Sequence, residues 1–393
     1  MRRCALLAGL LLVMSCGLRE IGGMEDESDG VWFGPGAAVG GGSQPSHKTV
    51  WYVTALDYPY GYDWRSDQGK GSVKCSLVVY ANMIPMMKIP VGDAYHVSSD
   101  PDMHRIIDGD LYTDFVIDST TVIKKNGKQC LSYPGRDMLM AMYVDSASIY
   151  TIGQSRSGRG ISFRKDGEII YENKKATLLG LPDRDRFAYA EEIQNAAERY
   201  YFYDSGKISQ IALREDVRSV WDVQINEKGV TYLASLIGVG SPVVISDDKM
   251  YSLEVPSGIT IQTCHFVQGQ QDVVEGICLS GNGSLTSALW REGKREYMFS
   301  SGMTVTSICS WADGICCVLK NQKTDAWAIF RCGELFNIPQ GYAVMGSSSL
   351  AVVDGILYIG LTSKTGEGSQ IWKDGEMKPL KINGYISSIV VQD

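Results

Sequence analysis

The stretch Ile371-Trp372-Lys373-Asp374-Gly375-Glu376 decides the fold, because close variants of it recur along the chain. It combines apolar or aromatic residues, one basic residue, and a turn at Asp374-Gly375, where glycine adopts positive φ at no steric cost. This pattern is typical of a β-hairpin. Five clear variants follow the same plan: Val122-Ile123-Lys124-Lys125-Asn126-Gly127, Phe163-Arg164-Lys165-Asp166-Gly167, Tyr201-Phe202-Tyr203-Asp204-Ser205-Gly206, Leu289-Trp290-Arg291-Glu292-Gly293 and Ile329-Phe330-Arg331-Cys332-Gly333.

The hairpins recur at a nearly constant interval. Two weaker copies, Val244-Ile245-Ser246-Asp247-Asp248 and Val78-Val79-Tyr80-Ala81-Asn82-Met83, fit the same slot. With turns at positions 83, 127, 167, 206, 248, 293, 333 and 375, the steps run from 39 to 45 residues. Such a period indicates structural repeats and not two ordinary domains.

Each repeat also contains two strands before its hairpin. In the clearest unit, strands are predicted at residues 305–311, 315–320, 326–331 and 333–338. Residues 189–199 have a helical composition, but they lie where a strand pair is due and are predicted as strand. Four antiparallel strands per repeat are the signature of a β-propeller. The sequence therefore predicts an all-β propeller of eight four-stranded blades, or seven if residues 78–89 do not form a third and fourth strand.

The two chain ends complement each other. Residues 386–393 look like the first strand of a unit, and residues 49–54 look like a second strand that lacks a first. We therefore predict that the C-terminal strand pairs with the N-terminal blade. This pairing closes the propeller and removes an open sheet edge.

The amino terminus has the architecture of an export signal. Arg2 and Arg3 precede an apolar run of about ten residues, which is too short to span a bilayer. Val13-Met14-Ser15-Cys16 resembles a bacterial lipobox, although methionine is unusual at its position. The resemblance implies a lipoprotein signal peptide at residues 1–15, palmitate or another acyl chain on Cys16, and, with Gly17 and not Asp following, the outer membrane.

The remaining chain divides into a tether and the propeller. Residues 16–47 are acidic and Gly-rich, which predicts a flexible tether, and residues 48–393 carry the repeats. The formal net charge is −8, and it becomes −10 without Arg2 and Arg3. This balance argues against a nucleic-acid partner. Signal and repeats together resemble bacterial β-propeller lipoproteins, a resemblance that transfers no functional residue because the WD, kelch and sialidase marks are absent.

Two long loops next to the first blade are the predicted binding site. One follows residue 57 and the other runs from residue 90 to residue 104. Aromatic rings offer large contact areas at low entropic cost, and charged side chains add directional hydrogen bonds, which suits a protein or glycan ligand. The alternative is that the rings plug the mouth of the propeller channel or pack against a neighbouring blade. The candidate ligand-binding residues are Tyr58, Tyr60, Tyr62, Trp64, Arg65, Tyr95, His96, Asp100, Asp102 and His104.

Motifs that would indicate a metal site or a catalytic site are missing from the sequence. Asp100, Asp102 and His104 are possible metal ligands, but a loop of this polarity is more simply solvated, so we predict no metal and no cofactor. Neighbouring Cys264 and His265 point to opposite faces of a strand and cannot form a catalytic pair. Cys309 with Cys316 or Cys317, and Cys264 with Cys278, lie on strands predicted to pair, which leaves cross-strand disulfides open beside the alternative of buried thiols.

The sequence thus predicts a non-enzymatic envelope module that binds a protein or glycan partner and meets the membrane only through its N-terminal lipid. A carbohydrate-active hydrolase or lyase with carboxylates at the channel mouth is one alternative. A structural subunit of an envelope complex is the other.

Overall fold

The computed structural model describes residues 31–32, 50–60, 62, 75–90, 104–117, 120–135, 137–145, 147–155, 158–183, 185–193, 198–226, 229–246, 249–267, 270, 272–311, 314–345, 348–364 and 368–392. Every regular element in these ranges is a β-strand. None of them contains a helix long and apolar enough to cross a membrane.

The fold is a β-propeller, as predicted from the repeats. The described strands form eight antiparallel sheets, and each sheet supplies one four-stranded blade. By contacts the chain divides into two compact units, Met1–Cys130 with Gly341–Asp393, and Leu131–Gln340. The eight sheets rule out the alternative of seven blades.

Blade 1, in the first unit, is built from both ends of the chain. Its order is the C-terminal strand followed by three N-terminal strands, and the C-terminal strand pairs with its neighbour from Val50 to Asp57. A two-residue strand inside the predicted tether pairs with the outer edge. The strands are β1 (Val31–Trp32), β2 (Val50–Asp57), β3 (Ser76–Ala81), β4 (Ile84–Pro90) and β34 (Gly384–Gln392).

The first unit also holds blades 2 and 8, and the last strand of blade 2 leads into the second unit. Blade 8 is irregular, since its first strand is in two pieces that both pair with β31. The strands are β5 (His104–Ile107), β6 (Asp110–Ile117), β7 (Thr120–Lys125) and β8 (Lys128–Pro134) in blade 2, and β29 (Tyr342–Ala343), β30 (Leu350–Val353), β31 (Ile356–Ser363), β32 (Gln370–Lys373) and β33 (Glu376–Pro379) in blade 8.

The second unit contains blades 3 to 7, each formed by four consecutive strands. They are β9 (Asp137–Val144), β10 (Ile149–Ser155), β11 (Ile161–Lys165) and β12 (Glu168–Asn173); β13 (Ala176–Asp183), β14 (Arg186–Glu192), β15 (Glu198–Asp204) and β16 (Lys207–Gln210); β17 (Val217–Asn226), β18 (Gly229–Leu236), β19 (Val243–Ile245) and β20 (Met250–Ser252); β21 (Ile259–Phe266), β22 (Val273–Ser280), β23 (Leu285–Arg291) and β24 (Lys294–Met298); and β25 (Met303–Trp311), β26 (Gly314–Asn321), β27 (Trp327–Arg331) and β28 (Glu334–Asn337).

The repeated turn ties each outer hairpin to the second strand of its blade. Asn126 and Gly127 both have positive φ, as a two-residue hairpin turn requires. The Asn126 backbone N–H donates to the Leu111 carbonyl at 2.8 Å, and its Oδ1 accepts from the Leu111 N–H at 2.9 Å. Asp166 makes the same two bonds with Ile149. A short oxygen-bearing side chain at this turn therefore fixes three strands at once.

The basic residue before the turn also has a structural task. It lies opposite an aromatic residue of the second strand and stacks over that ring, with Lys165 5.4 Å from Tyr150 and Lys373 5.5 Å from Tyr358. In blade 7 the arrangement differs, because the Arg331 guanidinium is 4.7 Å from the ring of Trp311, which lies on the first strand β25. These cations therefore shield aromatic faces of the blades from solvent.

Neighbouring sheets of the second unit pack through large side chains. Within blade 4, Phe187 stacks on Tyr203 with ring centroids 4.6 Å apart, and Phe163 of blade 3 meets Phe187 edge-on. Between blades 5 and 6, the buried Trp290 donates its indole N–H to the Glu254 carbonyl at 2.8 Å. Truncating such a buried aromatic residue typically costs about 3 to 5 kcal/mol.

Deleting residues 386–393 should abolish cooperative unfolding and promote aggregation. Of the eight residue pairs that join β34 to β2, only those of Tyr385 and Gly384 would remain, so the β2 edge would be left open. Thermal melts and size-exclusion chromatography measure this outcome. Removing only residues 392–393 is the matched control and should leave both unchanged; an equally stable, soluble 386–393 deletion would refute the closure.

Candidate functional site

The three described tyrosines of the predicted binding loop have different environments. Tyr58 is buried in the core of blades 1 and 2, and burial raises the pKa of its phenol. Tyr62 is half-buried, with its ring 5.5 Å from that of Tyr58. Tyr60 is 89% exposed. Of the three, Tyr60 is therefore the one that can offer its whole ring to a ligand.

The other predicted binding residues are less informative. His104 begins β5, where its backbone pairs with Thr113. The remaining candidates lie outside the described residues: Trp64, Arg65, Tyr95, His96, Asp100 and Asp102. Among the residues that the structure describes, no three His, Cys, Asp or Glu side chains come together as metal ligands.

The start of the aromatic loop is held by the segment that precedes β34. The Asn383 amide nitrogen donates to the Pro59 and Tyr62 carbonyls at 2.5 and 3.2 Å. Its backbone N–H donates to Asp57 Oδ1 at 2.9 Å, and its carbonyl accepts from the Tyr58 N–H at 2.8 Å. Four hydrogen bonds thus fix the backbone on both sides of Tyr60. Asn383 is not recognisable from the sequence, because no local pattern links it to residues more than 300 positions away.

A second cluster of ionisable groups lies on blades 5 and 6. His265 of β21 is directly opposite Glu275 of β22, and its Nε2 is 3.1 Å from Glu275 Oε2. The imidazole is about half exposed, whereas the Glu275 side chain is 3% exposed. Cys264 is buried on the other face of the strand, as strand alternation predicts.

The two carboxyl groups of this cluster differ in exposure, since Glu275 is buried and Asp222 is half-buried. Burial raises the pKa of Glu275, while His265 and the Ser287 hydroxyl act in the opposite direction. Glu275 Oε1 has no hydrogen-bond partner among the described residues. Burial also raises the pKa of Asp222 in β17, whose Oδ2 accepts from the Phe266 N–H at 2.7 Å. An exposed imidazole oriented by a buried carboxyl can transfer a proton at its solvent-facing side.

A groove of about 660 Å³ runs along β16 and β20. Its lining is mixed and includes the apolar side chains of Phe202, Tyr232 and Ile245 beside polar ones. The two cations at its rim are engaged by carboxylates of the chain: Arg214 pairs with Asp216 at 3.0 Å, and Lys249 pairs with Asp272 at 2.5 Å. The groove therefore offers a concave surface with some apolar area, but the two cations at its rim are already paired with carboxylates of the chain.

Comparison with known proteins shows a likeness of fold and indicates no function. No protein-family model and no curated protein matches the chain. Among solved structures, it is similar to the β-propeller domain of Cps50 (Swd1) from Myceliophteria thermophila, at 13% identity and a TM-score of 0.39 over 65% of this chain and 90% of that one. It is also similar to the acylaminoacyl peptidase of Pyrococcus horikoshii, at 10% identity and a TM-score of 0.44 over 82% of this chain and 57% of that one. At such identities the likeness concerns the fold alone.

Replacing His265 with Gln should destabilise the protein in a pH-dependent way. Burial raises the pKa of Glu275 in the folded state above its ordinary pKa of 4.5. The free energy of unfolding is therefore greatest when Glu275 is protonated, and it falls as the pH rises above 4.5. Without the imidazole that pKa rises further. We expect little effect near pH 4 and a loss of about 1 to 3 kcal/mol near pH 8, measured by denaturant unfolding.

Glu275→Gln provides the control, because it removes the titrating group. Adding His265→Gln to it should cost the same at both pH values. A single His265→Gln variant that loses equal stability near pH 4 and near pH 8 would show that the two side chains are not coupled.

Proposed function

We propose that the protein is a lipid-anchored binding module of the bacterial cell envelope, a propeller lipoprotein of the outer membrane that captures a protein or glycan partner. The β-propeller fold is consistent with an interaction module. The signal architecture of residues 1–15 and the lipobox-like Cys16 support the anchor, and the acidic balance of the chain speaks against nucleic acid.

The observation that carries the binding proposal is the exposure of Tyr60. Large aromatic side chains are normally covered, and this ring is 89% exposed on a backbone fixed at both sides by Asn383. A rigidly presented aromatic ring loses little entropy on binding. Stacking on a sugar face and insertion into a protein pocket both use this property.

A second candidate function is supported by the His265–Glu275 pair. A half-exposed imidazole that pairs with a buried carboxyl group has the two components of a general acid–base pair. It favours the alternative of a carbohydrate-active hydrolase or lyase. Turnover of a glycan that is lost in His265→Gln and kept in Tyr60→Ala would establish this reading.

Tyr60→Ala should weaken capture of the partner at least about tenfold, because a single well-presented aromatic anchor can dominate an interface. The form that starts at Gly17 is used in pull-downs from envelope extracts and on a glycan array. Tyr60→Phe should retain binding if ring contact dominates. The melting temperature should not change in either variant, since the side chain is exposed.

Ile237→Ala is the matched control, because Ile237 is 68% exposed on blade 5. It should bind as the wild type does. Capture that is unaffected by Tyr60→Ala and Trp64→Ala would overturn the loop as the site. A stoichiometric partner that remains bound to both variants would indicate a structural subunit of an envelope complex.

Cys16→Ser should convert the protein from a membrane-associated to a water-soluble form, because the lipid is the proposed anchor. Detergent phase partitioning of the cell-envelope fraction measures the change. Cys4→Ser is the control, since Cys4 lies in the segment expected to be removed. A Cys16→Ser protein that still enters the detergent phase would exclude lipid anchoring at this residue.

A further inference from the structure

Blade 7 concentrates sulfur chemistry in one sheet. Four of the eight described cysteines, all present as free thiols, belong to it: Cys309, Cys316, Cys317 and Cys332. In the register of β25 against β26, Cys309 lies directly opposite Cys316. Directly opposite residues project their side chains from the same face of a sheet, so these two sulfurs share one side of the blade.

The two thiols are in contact. The Cys309 thiol is hydrogen-bonded to that of Cys316, and this bond together with burial raises the pKa of Cys316. Cys309 is half-buried and can be reached from solvent, whereas Cys316 is completely buried. The pair therefore combines an accessible sulfur with an enclosed one.

The other thiols do not share this geometry. Cys317 is adjacent to Cys316, but it is opposite Ile308 and projects from the other face of the blade. In blade 6, Cys264 is opposite Gly276 and Cys278 is opposite Ile261, so these two cysteines are offset along the strands. Within the described residues, the register thus selects Cys316 as the partner of Cys309, where the sequence left Cys316 and Cys317 open.

We propose that Cys309 and Cys316 are a thiol oxidation site that forms a reversible cross-strand disulfide by exchange with a protein or small-molecule disulfide. Directly opposite strand residues have Cβ atoms about 4.5 to 5.5 Å apart, and a disulfide needs about 3.5 to 4.5 Å. A small approach of two strands that are already hydrogen-bonded is sufficient.

The exchange proceeds in two steps. The Cys309 thiolate attacks one sulfur of the donor disulfide, the donor S–S bond breaks, and the first donor thiolate leaves. Cys316 then gives up its proton, and its sulfur attacks Cys309 Sγ, which releases the second donor thiolate. The two cysteines lose two electrons together, the donor disulfide gains them, and the two protons end on the donor thiols.

Access explains the order of these steps. The half-buried Cys309 can meet a donor, but Cys316 has no route to one and can react only with the mixed disulfide beside it. Cys332 is exposed at the turn between β27 and β28. It is therefore the thiol of blade 7 most open to a competing mixed disulfide with the donor, and Cys130 of β8 is likewise exposed.

The test uses the form that starts at Gly17, which contains every blade, and oxidised glutathione as the probe. The reduced protein is incubated with glutathione disulfide, remaining thiols are alkylated, and the products are compared with a dithiothreitol-treated sample by intact mass and peptide mapping. Apart from glutathione adducts at exposed thiols, we expect the internal link to make the protein about 2 Da lighter before alkylation, to protect Cys309 and Cys316 from the alkylating reagent, and to yield a cross-linked peptide that contains both. Dithiothreitol should reverse all three changes.

Adjacent cysteines provide the controls. Cys317→Ser should form the cross-link as the wild type does, whereas Cys316→Ser and Cys309→Ala should not form it. Cys332→Ser should lose only the glutathione adduct at that position. Because the wild-type peptide map assigns the link directly, the result stands even if a buried substitution impairs folding.

Two outcomes would overturn the proposal. One is a wild-type protein that acquires only glutathione adducts, with no internal link. The other is a link that persists in Cys316→Ser and is lost in Cys317→Ser. Neither outcome bears on the binding loop, because the oxidant is supplied in solution and Tyr60 lies on another blade.

Discussion

The structure depends first on the ladder between β2 and β34, which joins the two ends of the chain. Eight residue pairs run from Val50 with Gln392 to Asp57 with Gly384. A side-chain hydrogen bond adds to this ladder within blade 1, because the Ser387 hydroxyl donates to the Thr54 carbonyl at 2.9 Å. Blade 8 adds its own bond, from the Ile389 N–H to the Ser348 carbonyl at 2.7 Å. The break in the first strand of blade 8 supplies that carbonyl, so the irregular strand strengthens the closure.

The same ladder connects the fold with the candidate binding site. Asn383 immediately precedes β34 and bonds the backbone around Tyr60, so the pairing that closes the fold also positions the loop. Gly384 shows how closely the segments approach, because a Cβ atom there would lie 1.9 Å from the Leu56 carbonyl oxygen. Any side chain at position 384 would push β34 away from β2. The site is therefore assembled from residues that are distant in sequence but adjacent in the sheet.

The blades could be predicted from the sequence because their turns are specified by neighbouring residues. The candidate sites could not, because they depend on which residues of paired strands lie opposite each other. A turn such as Asn126-Gly127 specifies its hairpin through positive φ and one side-chain oxygen, both of which are visible in the sequence. The pairing of His265 with Glu275 depends on which residues of β21 and β22 are opposite each other, and the bulge between Ile261 and Thr263 shifts that register. The burial of Tyr58 beside the exposed Tyr60 likewise follows from tertiary packing, which composition does not reveal.

The acidic cluster places a carboxyl group among core residues that are mostly apolar. A carboxyl group buried as deeply as Glu275 costs stability unless it is paired, and here a half-exposed imidazole compensates only one of its oxygens. An apolar residue would fill the same place between blades 6 and 7 at lower cost. By contrast, buried polar groups near the chain ends, such as Ser369 bonded to the Gly384 carbonyl, complete a backbone network. A buried polar group that completes no such network is expected mainly at a functional site. Under the two proposed functions, Glu275 would support proton transfer on blade 6 and Tyr60 would support recognition at blade 1, and one propeller can hold both roles because its blades are separate sheets.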